Sequence, residues 1–384
     1  MPRIFRACPI CLTDDSALIY KNSMAPVGGF DMSYTVVRCN KCGFYYAHQL
    51  ADSNTYNDYY QSVSKYDTPA FLSAVDQARI EFAVSFLERR IDKNSQIVDL
   101  GCGVGALLGG LKRSGWQHLQ GLDPAPNAAQ QAWDMHEVSD ILCGTLSNAH
   151  EVINFKDVKL VCIMSVLEHL PNLKQDLKRL LSNLEIGCAI LLEVPAIEFF
   201  PNANSEPFGE FSLEHIQYFD MNSLNNLMNS LGADTLALEL LDLPIVASGS
   251  IMGLFEWRGQ APSQPIYQYL NTNNMEVYKE QSQQKLDMAL SRIPDGPLII
   301  YGAGSHTARL LTHLEKMSQC TIHCIVDNNP NLIGKKIGQW TVKTTSIIHQ
   351  SPEIPVLISS FRSQDAIAFA LHKSVMNPII LMYE

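Results

Sequence analysis

Four cysteines stand in two matched pairs, Cys8-Pro-Ile-Cys11 and Cys39-Asn-Lys-Cys42-Gly. A C-x-x-C turn points both sulfurs the same way, so two such turns can close a tetrahedron of thiolates around one zinc ion. Four thiolates leave no open position for water, and the spacing implies a structural metal rather than a catalytic one. Farther along, VDLGCGVG (98–105) ends an apolar run and turns through Gly101, Gly103 and Gly105 into a helical pattern. Glycines there allow a tight turn and the close approach of a ligand. Asp99 precedes them at a strand end, where a carboxylate can attract a cationic amino group. Asp123 closes the next apolar run, where it can accept both hydroxyls of a ribose. Glu214 and His215, in FGEFSLEHIQYF, form a third group. Histidine is the side chain best suited to remove a proton near neutral pH, and a neighbouring carboxylate raises its basicity. Equally, Glu214, His215 and Tyr218 could simply satisfy backbone groups beside a helix that starts near Asp220 or Asn222. A second glycine turn, YGAGSHTA (301–308), has Asp327 at the end of the following run. That spacing is the one at which a Rossmann acid meets ribose, so the motif alone suggests NAD or a domain used only for packing.

Positioning these groups requires particular elements. From Ser95 onward short apolar runs alternate with amphipathic stretches, the order of a doubly wound parallel sheet. The strands are expected at 96–100, 119–123, 159–164 and 189–194, with helices at 105–114 and 171–184. Segments 235–243 and 249–257 are close enough in sequence to pair with each other. A helix over 69–91 leads into this unit, on the spacing of Phe71, Val75, Ala78, Phe82 and Phe86. RGQAPSQP (258–265) reads as a linker, followed by a polar helix from 266 to 292 and a second α/β unit from Leu298. The tyrosine-rich YNDYYQSVSKY (56–66) either covers a pocket or caps the cysteine module.

The chain has 384 residues, enough for two or three domains, and 46% hydrophobic against 17% charged residues is a globular composition. A net charge of -11 argues against affinity for nucleic acid through phosphate neutralisation. No apolar h-region opens the sequence and no run approaches eighteen apolar residues, so neither export nor membrane spanning is expected, and a cytoplasmic location follows. The six unpaired cysteines (Cys102, Cys143, Cys162, Cys188, Cys320, Cys324) sit in apolar runs, where they are expected to pack as small hydrophobes.

The D-x-G-x-G-x-G of residues 99–105 resembles motif I of class I methyltransferases, and MSVLEHLP (164–171) resembles their motif after the fourth strand. The resemblance implies S-adenosylmethionine as cofactor, held by Asp99, Gly101, Cys102, Gly103, Gly105, Asp123 and Ser165. Glu168 and His169 would shape that pocket or cap the next helix rather than act as an acid–base pair. The order of CxxC pairs, DLGCG, SVLEHLP, EHIQYF and YGAGSHTARLL…IVDNNP resembles the deoxysugar C-methyltransferase family over nearly the whole chain. It implies an α/β class I methyltransferase sheet in residues 56–260, between a zinc module (1–55) and a Rossmann-like, substrate-binding domain (261–384). The implied substrate is a nucleotide-linked ketosugar. His215 would be the base at the carbon beside the ketone, supported by Glu214. Tyr60, Tyr218, Gly302, Gly304, Ser305 and His306 would face the substrate. The chain departs from the family at Ser212, where relatives carry tyrosine, and at ASGSIM (247–252), where they carry an HGGSLR-like run. O- or N-methylation of a sugar or other metabolite therefore stays open. So do an NAD-dependent oxidoreductase or epimerase using the second loop, and a non-catalytic binding protein.

Overall fold

The computed structural model describes residues 3–31, 33–51, 72–212, 214–242 and 249–383. The tyrosine-rich segment, Tyr60 included, and residues 243–248 lie outside them.

Three sheets follow one another. The first holds β1 (Arg3–Phe5), β2 (Ser16–Asn22), β3 (Tyr34–Cys39) and β4 (Tyr45–Ala51), antiparallel in the order β1-β4-β3-β2. The central unit begins with α1 (Ala74–Glu88), capped by the Ser73 hydroxyl accepting from the Asp76 amide. It continues through β5 (Gln96–Leu100), α2 (Ala106–Arg113), β6 (Leu119–Asp123), α3 (Ala128–His136), β7 (Ile141–Cys143), α4 (Ala149–Val152) and β8 (Val158–Met164). Then come α5 (Leu173–Leu181), β9 (Ala189–Pro195), β10 (Gln217–Tyr218), α6 (Met221–Leu231), β11 (Ala233–Leu241) and β12 (Ser250–Trp257). The sheet order is β11-β12-β9-β8-β5-β6-β7, with β12 antiparallel to both neighbours and the strands from β9 to β7 parallel. Strands β8 and β9 are apolar on both faces because helices cover both, which is why their sequences run apolar without alternation. The order reverses at β5, so the loops after β5 and β8 open a crevice where ligands of such sheets sit.

The third unit contains α7 (Asn274–Leu290), β13 (Gly296–Tyr301), α8 (Ser305–Leu314), β14 (Cys320–Asp327), β15 (Lys336–Ile337), β16 (Trp340–Thr344), β17 (Val356–Ile358), α9 (Gln364–Ser374) and β18 (Ile379–Leu381). Its strands lie in the order β15-β16-β14-β13-β17-β18, parallel except for β15. The helix expected from residue 266 starts eight residues later. Asn226 and Asn222 explain the delay. Their side-chain amides donate to the Gln268 carbonyl at 2.7 and 2.8 Å, and the Asn226 oxygen accepts from the Gln268 amide at 2.9 Å. The peptide unit is thus held as if by a neighbouring strand.

The cysteine-bearing sheet is more than a peripheral staple. Side chains alternate along a strand, and here both faces are apolar. Val37, Cys39, Phe44 and Tyr46 join the core of the central sheet, whereas Tyr34, Val36, Tyr45 and Ala47 join the core of the C-terminal unit. β10, from the EHIQYF segment, pairs with β4 beside β1, placing Gln217 opposite Tyr46 and Tyr218 opposite Tyr45. The central unit therefore lends a strand to the cysteine module.

Candidate active site

β5 delivers Asp99 and the glycine loop to the crevice. Gly101 has φ +82°, and a Cβ there would lie 2.4 Å from Val166 Cγ2, so the loops after β5 and β8 touch. Gly103 has φ +53° with open space where a Cβ would go, whereas a Cβ on Gly105 would press on Ala132 at 2.9 Å. Gly103 thus faces the crevice and Gly105 serves packing. Cys102 turns its sulfur inward against Gly121 and Leu108, so only its backbone can line the loop. Asp123 bridges the loops: its Oδ2 accepts from the Gly103 amide and its Oδ1 from that of Ala125, both at 2.8 Å. Burial raises its pKa, and those two bonds oppose the rise. Asp99 is 3% exposed, and burial, with the charge of Asp123, pushes its carboxyl up to about 7.

Beyond β8, Ser165 adopts φ +53° and donates its hydroxyl to Glu193 Oε2 at 2.8 Å. Arg79 of α1 approaches the same carboxylate at 3.1 Å and the Ser165 oxygen at 3.3 Å. Neither Arg79 nor Glu193 was a sequence candidate. The available signal was a lone carboxylate inside the apolar run AILLEV, since a fully buried charge needs a partner.

A one-turn helix, Leu167–His169, then brings Glu168 and His169 against the EHIQYF segment. The Ile216 amide donates to the Glu168 carbonyl at 2.8 Å, and Gln217 Nε2 to that of Leu170 at 2.7 Å. The His169 and His215 rings meet edge to face at 4.9 Å, and His169 Nδ1 lies 3.2 Å from the Glu214 carbonyl oxygen. Arg6 ties the arrangement to the cysteine sheet, donating to the carbonyls of Ala47, Pro171 and Ile216 at 2.6, 3.1 and 2.8 Å. Ser212 Oγ accepts from the amides of Glu214 and His215 at 3.2 and 2.9 Å. The expected helix start is realised, with Asp220 as the cap of α6.

The four sequence-paired cysteines converge. Cys8 and Cys42 sulfurs are 3.5 Å apart, those of Cys11 and Cys39 3.4 Å, and no disulfide links any of the described cysteines. A zinc ion with 2.3 Å arms needs tetrahedral edges of about 3.7 Å, so donor set and separations fit. Lys174, bonded to the Ile10 carbonyl at 2.6 Å, brings a positive charge beside the thiols. Of the other six cysteines, Cys143 is exposed rather than packed.

The second glycine loop repeats the first one's device. Asp327 accepts from the Ala303 and Asn329 amides, each at 2.8 Å. Gly304 and Ser305 are exposed at the start of α8, whereas a Cβ on Gly302 would meet the Ser359 carbonyl oxygen at 2.8 Å. His306 does not face that opening. It is buried, with ring nitrogens 2.7 Å from Ser359 Oγ and 2.5 Å from Tyr383 Oη, and burial lowers its pKa. Arg309 on the same helix donates to the Phe211 carbonyl at 2.8 Å, tying α8 to the stretch that carries Ser212.

Residues 75–238 match the family model described as a methyltransferase domain. This is a class I, S-adenosylmethionine-dependent methyltransferase domain. Residues 294–382 match the model described as a CoA binding domain, so the methyltransferase carries a Rossmann-like unit at its C-terminal end. Among solved structures, the 1,6-didemethyltoxoflavin-N1-methyltransferase of Burkholderia thailandensis is 15% identical, with a TM-score of 0.44, over 56% of this chain and 96% of its own. The magnesium protoporphyrin IX methyltransferase of Synechocystis PCC 6803 with bound SAH is 14% identical, with a TM-score of 0.41, over 54% of this chain and 100% of its own. No curated protein sequence matches the chain. Among the described residues no helix of this methyltransferase is long and apolar enough to cross a membrane.

The fold brings some sequence candidates together and separates others. Asp99, Gly101, Gly103 and Ser165 gather at the two crevice loops, and Asp123, ending β6, joins them through the Gly103 amide. Tyr218 is buried, at 2% exposed, and its hydroxyl bonds Tyr34 Oη at 2.7 Å and the His215 carbonyl at 2.9 Å. The Glu214 carbonyl lies beside His169, and the carboxylate of Glu168 joins His169 and His215 with ligand atoms within 4.8 Å of one another.

Proposed function

We propose that this methyltransferase acts on a nucleotide-linked keto-deoxysugar, with His215 taking a proton from the carbon beside the ketone. The enolate so formed would attack the sulfonium methyl, breaking its bond to sulfur and leaving S-adenosylhomocysteine. One observation carries the reading: Val166, against Gly101, sets the Glu168–His169–His215 group immediately beside the donor loop. The exposed Gly304 and Ser305 at the start of α8 would hold the nucleotide end, where helix amides favour phosphate. The four thiols would hold a structural zinc ion.

Two outcomes test it. His215→Ala is expected to lower turnover by about 10²–10⁴-fold, the usual contribution of a positioned base, with S-adenosylmethionine affinity unchanged. Full turnover in that variant removes His215 from the mechanism. Carbon rather than oxygen methylation is read directly from the product by NMR.

Donor affinity is expected to depend on pH through Asp99. The donor's ammonium group needs the carboxylate form, and the carboxyl of the free protein titrates at about 7. Below that value binding must expel a proton, so the dissociation constant should rise about tenfold per pH unit, and above it affinity should level off. Calorimetric titration across the neutral range checks this. A flat profile, or an unchanged slope in Asp99→Asn, counts against the assignment.

A further inference from the structure

Glu168, His169 and His215 each offer one ligand atom, and these atoms lie within 4.8 Å of one another. Three features make this more than a chance grouping. Glu168 is 1% exposed, and its Oε2 has no hydrogen-bond partner among the described residues. A buried carboxylate oxygen left unbonded is costly unless something else takes it. His169 has Nδ1 set against the Glu214 carbonyl at 3.2 Å, which turns Nε2 toward Glu168 Oε1 at 3.8 Å. A ring nitrogen anchored on a backbone carbonyl while the other faces inward is the usual state of a metal-ligating histidine. Finally, the cluster is held from outside, by the Ile216 amide on the Glu168 carbonyl and by Ser212 on the His215 amide. The backbone carrying the three donors is thus fixed on both sides, with their ligand atoms within 4.8 Å of one another.

We propose that Glu168, His169 and His215 bind a divalent cation beside the methyl donor, whose remaining positions take oxygen atoms of the acceptor. One carboxylate and two neutral imidazoles supply three donors and a single negative charge. That set holds a first-row divalent ion and leaves coordination positions open. A ketone and an adjacent hydroxyl would fill them, fixing the acceptor's orientation before the methyl group moves. The inference takes from the reading above only that the acceptor meets this cluster, and it assigns His215's nitrogen to the cation rather than to a proton.

The test uses the full chain with its thiol site loaded with zinc. Mn2+ is the probe, because it lies at the weak end of the affinity order and prefers oxygen and nitrogen donors, so it leaves thiolate-bound zinc in place. Binding is followed by loss of the free Mn2+ resonance in EPR. One Mn2+ per chain is expected, with affinity reduced about tenfold or more in Glu168→Gln and in His215→Ala. Unchanged S-adenosylmethionine binding in both variants controls for folding. The proposal is overturned if the wild-type chain binds no Mn2+, or if both variants bind it as tightly. The two readings fail separately. Absent Mn2+ binding with turnover lost in His215→Ala leaves the base and removes the cation. Mn2+ binding by the wild-type chain that both variants weaken, with turnover of His215→Ala restored at saturating Mn2+, keeps the cation and removes the base.

Discussion

Cys39→Ser is expected to reduce methyl transfer by at least about 100-fold, a loss that arises far from the reacting atoms. Cys39 ends β3, and Cys42 stands just before β4, so both hairpin strands are tied to the thiol cluster. β4 pairs with β10, and His215 lies two residues before Gln217. Arg6, beside Cys8, holds the carbonyls of both Pro171 and Ile216. Loosening the sheet therefore shifts both histidines together, and misplacement by about 1 Å costs on the order of 100-fold in rate. The stability effect is also large. Structural zinc in small modules contributes about 10–16 kcal/mol, comparable with the whole stability of an ordinary domain. Phe44, Tyr46 and Val37 on one face, and Tyr45 and Val36 on the other, would lose their fixed places in two cores at once. Metal content, thermal melting and turnover should fall together in Cys39→Ser. Full turnover in a chain shown to be zinc-free would refute the coupling.

The same sheet shows where sequence reading stops. β5 and β6 were legible to the residue, because a strand buried on both faces is an apolar run bounded by turn residues. The cysteine module was legible as a cluster of four thiols but not as a sheet. FYYAHQL carries no polar alternation, since each face of β4 packs on a different core. β10 has two residues and no pattern of its own, so a strand lent across units leaves no trace in periodicity. The glycine loop was readable as a strand-to-helix turn because its signal is local: three glycines and two strand-end carboxylates within one β-α-β unit. The meeting of Glu168 with His215 was not, because the two come together only through tertiary contacts. Glu168 was read as a pocket-shaping or capping residue and Glu214 as the support for His215. The fold brings the Glu168 carboxylate to His215 as well, and sets the Glu214 carbonyl beside His169. Burial, which sequence does not display, turns the His306 ring toward Ser359 and Tyr383 rather than toward the loop opening.

Gly101→Ala and Gly103→Ala, two residues apart in one loop, are expected to fail differently. At Gly101 the added methyl group meets Val166 Cγ2 at 2.4 Å, at φ +82°. Val166 has little room to retreat. Ser165 before it is held by its amide on the Glu193 carbonyl at 3.0 Å and its hydroxyl on the Glu193 carboxylate, and Leu167 after it is fully buried. Left-handed backbone costs an alanine about 1–2 kcal/mol, and overpacking adds about 1–3. Gly101→Ala should therefore lose several kcal/mol of stability, push Glu168 and His169 out of place, and lower turnover about 100-fold. At Gly103 φ is +53° and nothing lies within 4 Å of the new Cβ, so the stability cost is the backbone term alone, about 1–2 kcal/mol. On the reading proposed above, the open space there is the crevice that receives the donor. Gly103→Ala should accordingly weaken S-adenosylmethionine binding while melting close to wild type. Denaturant melts and donor titrations on the pair separate the outcomes. Wild-type donor affinity in Gly103→Ala would mean that the open side of the loop is not where the donor lies.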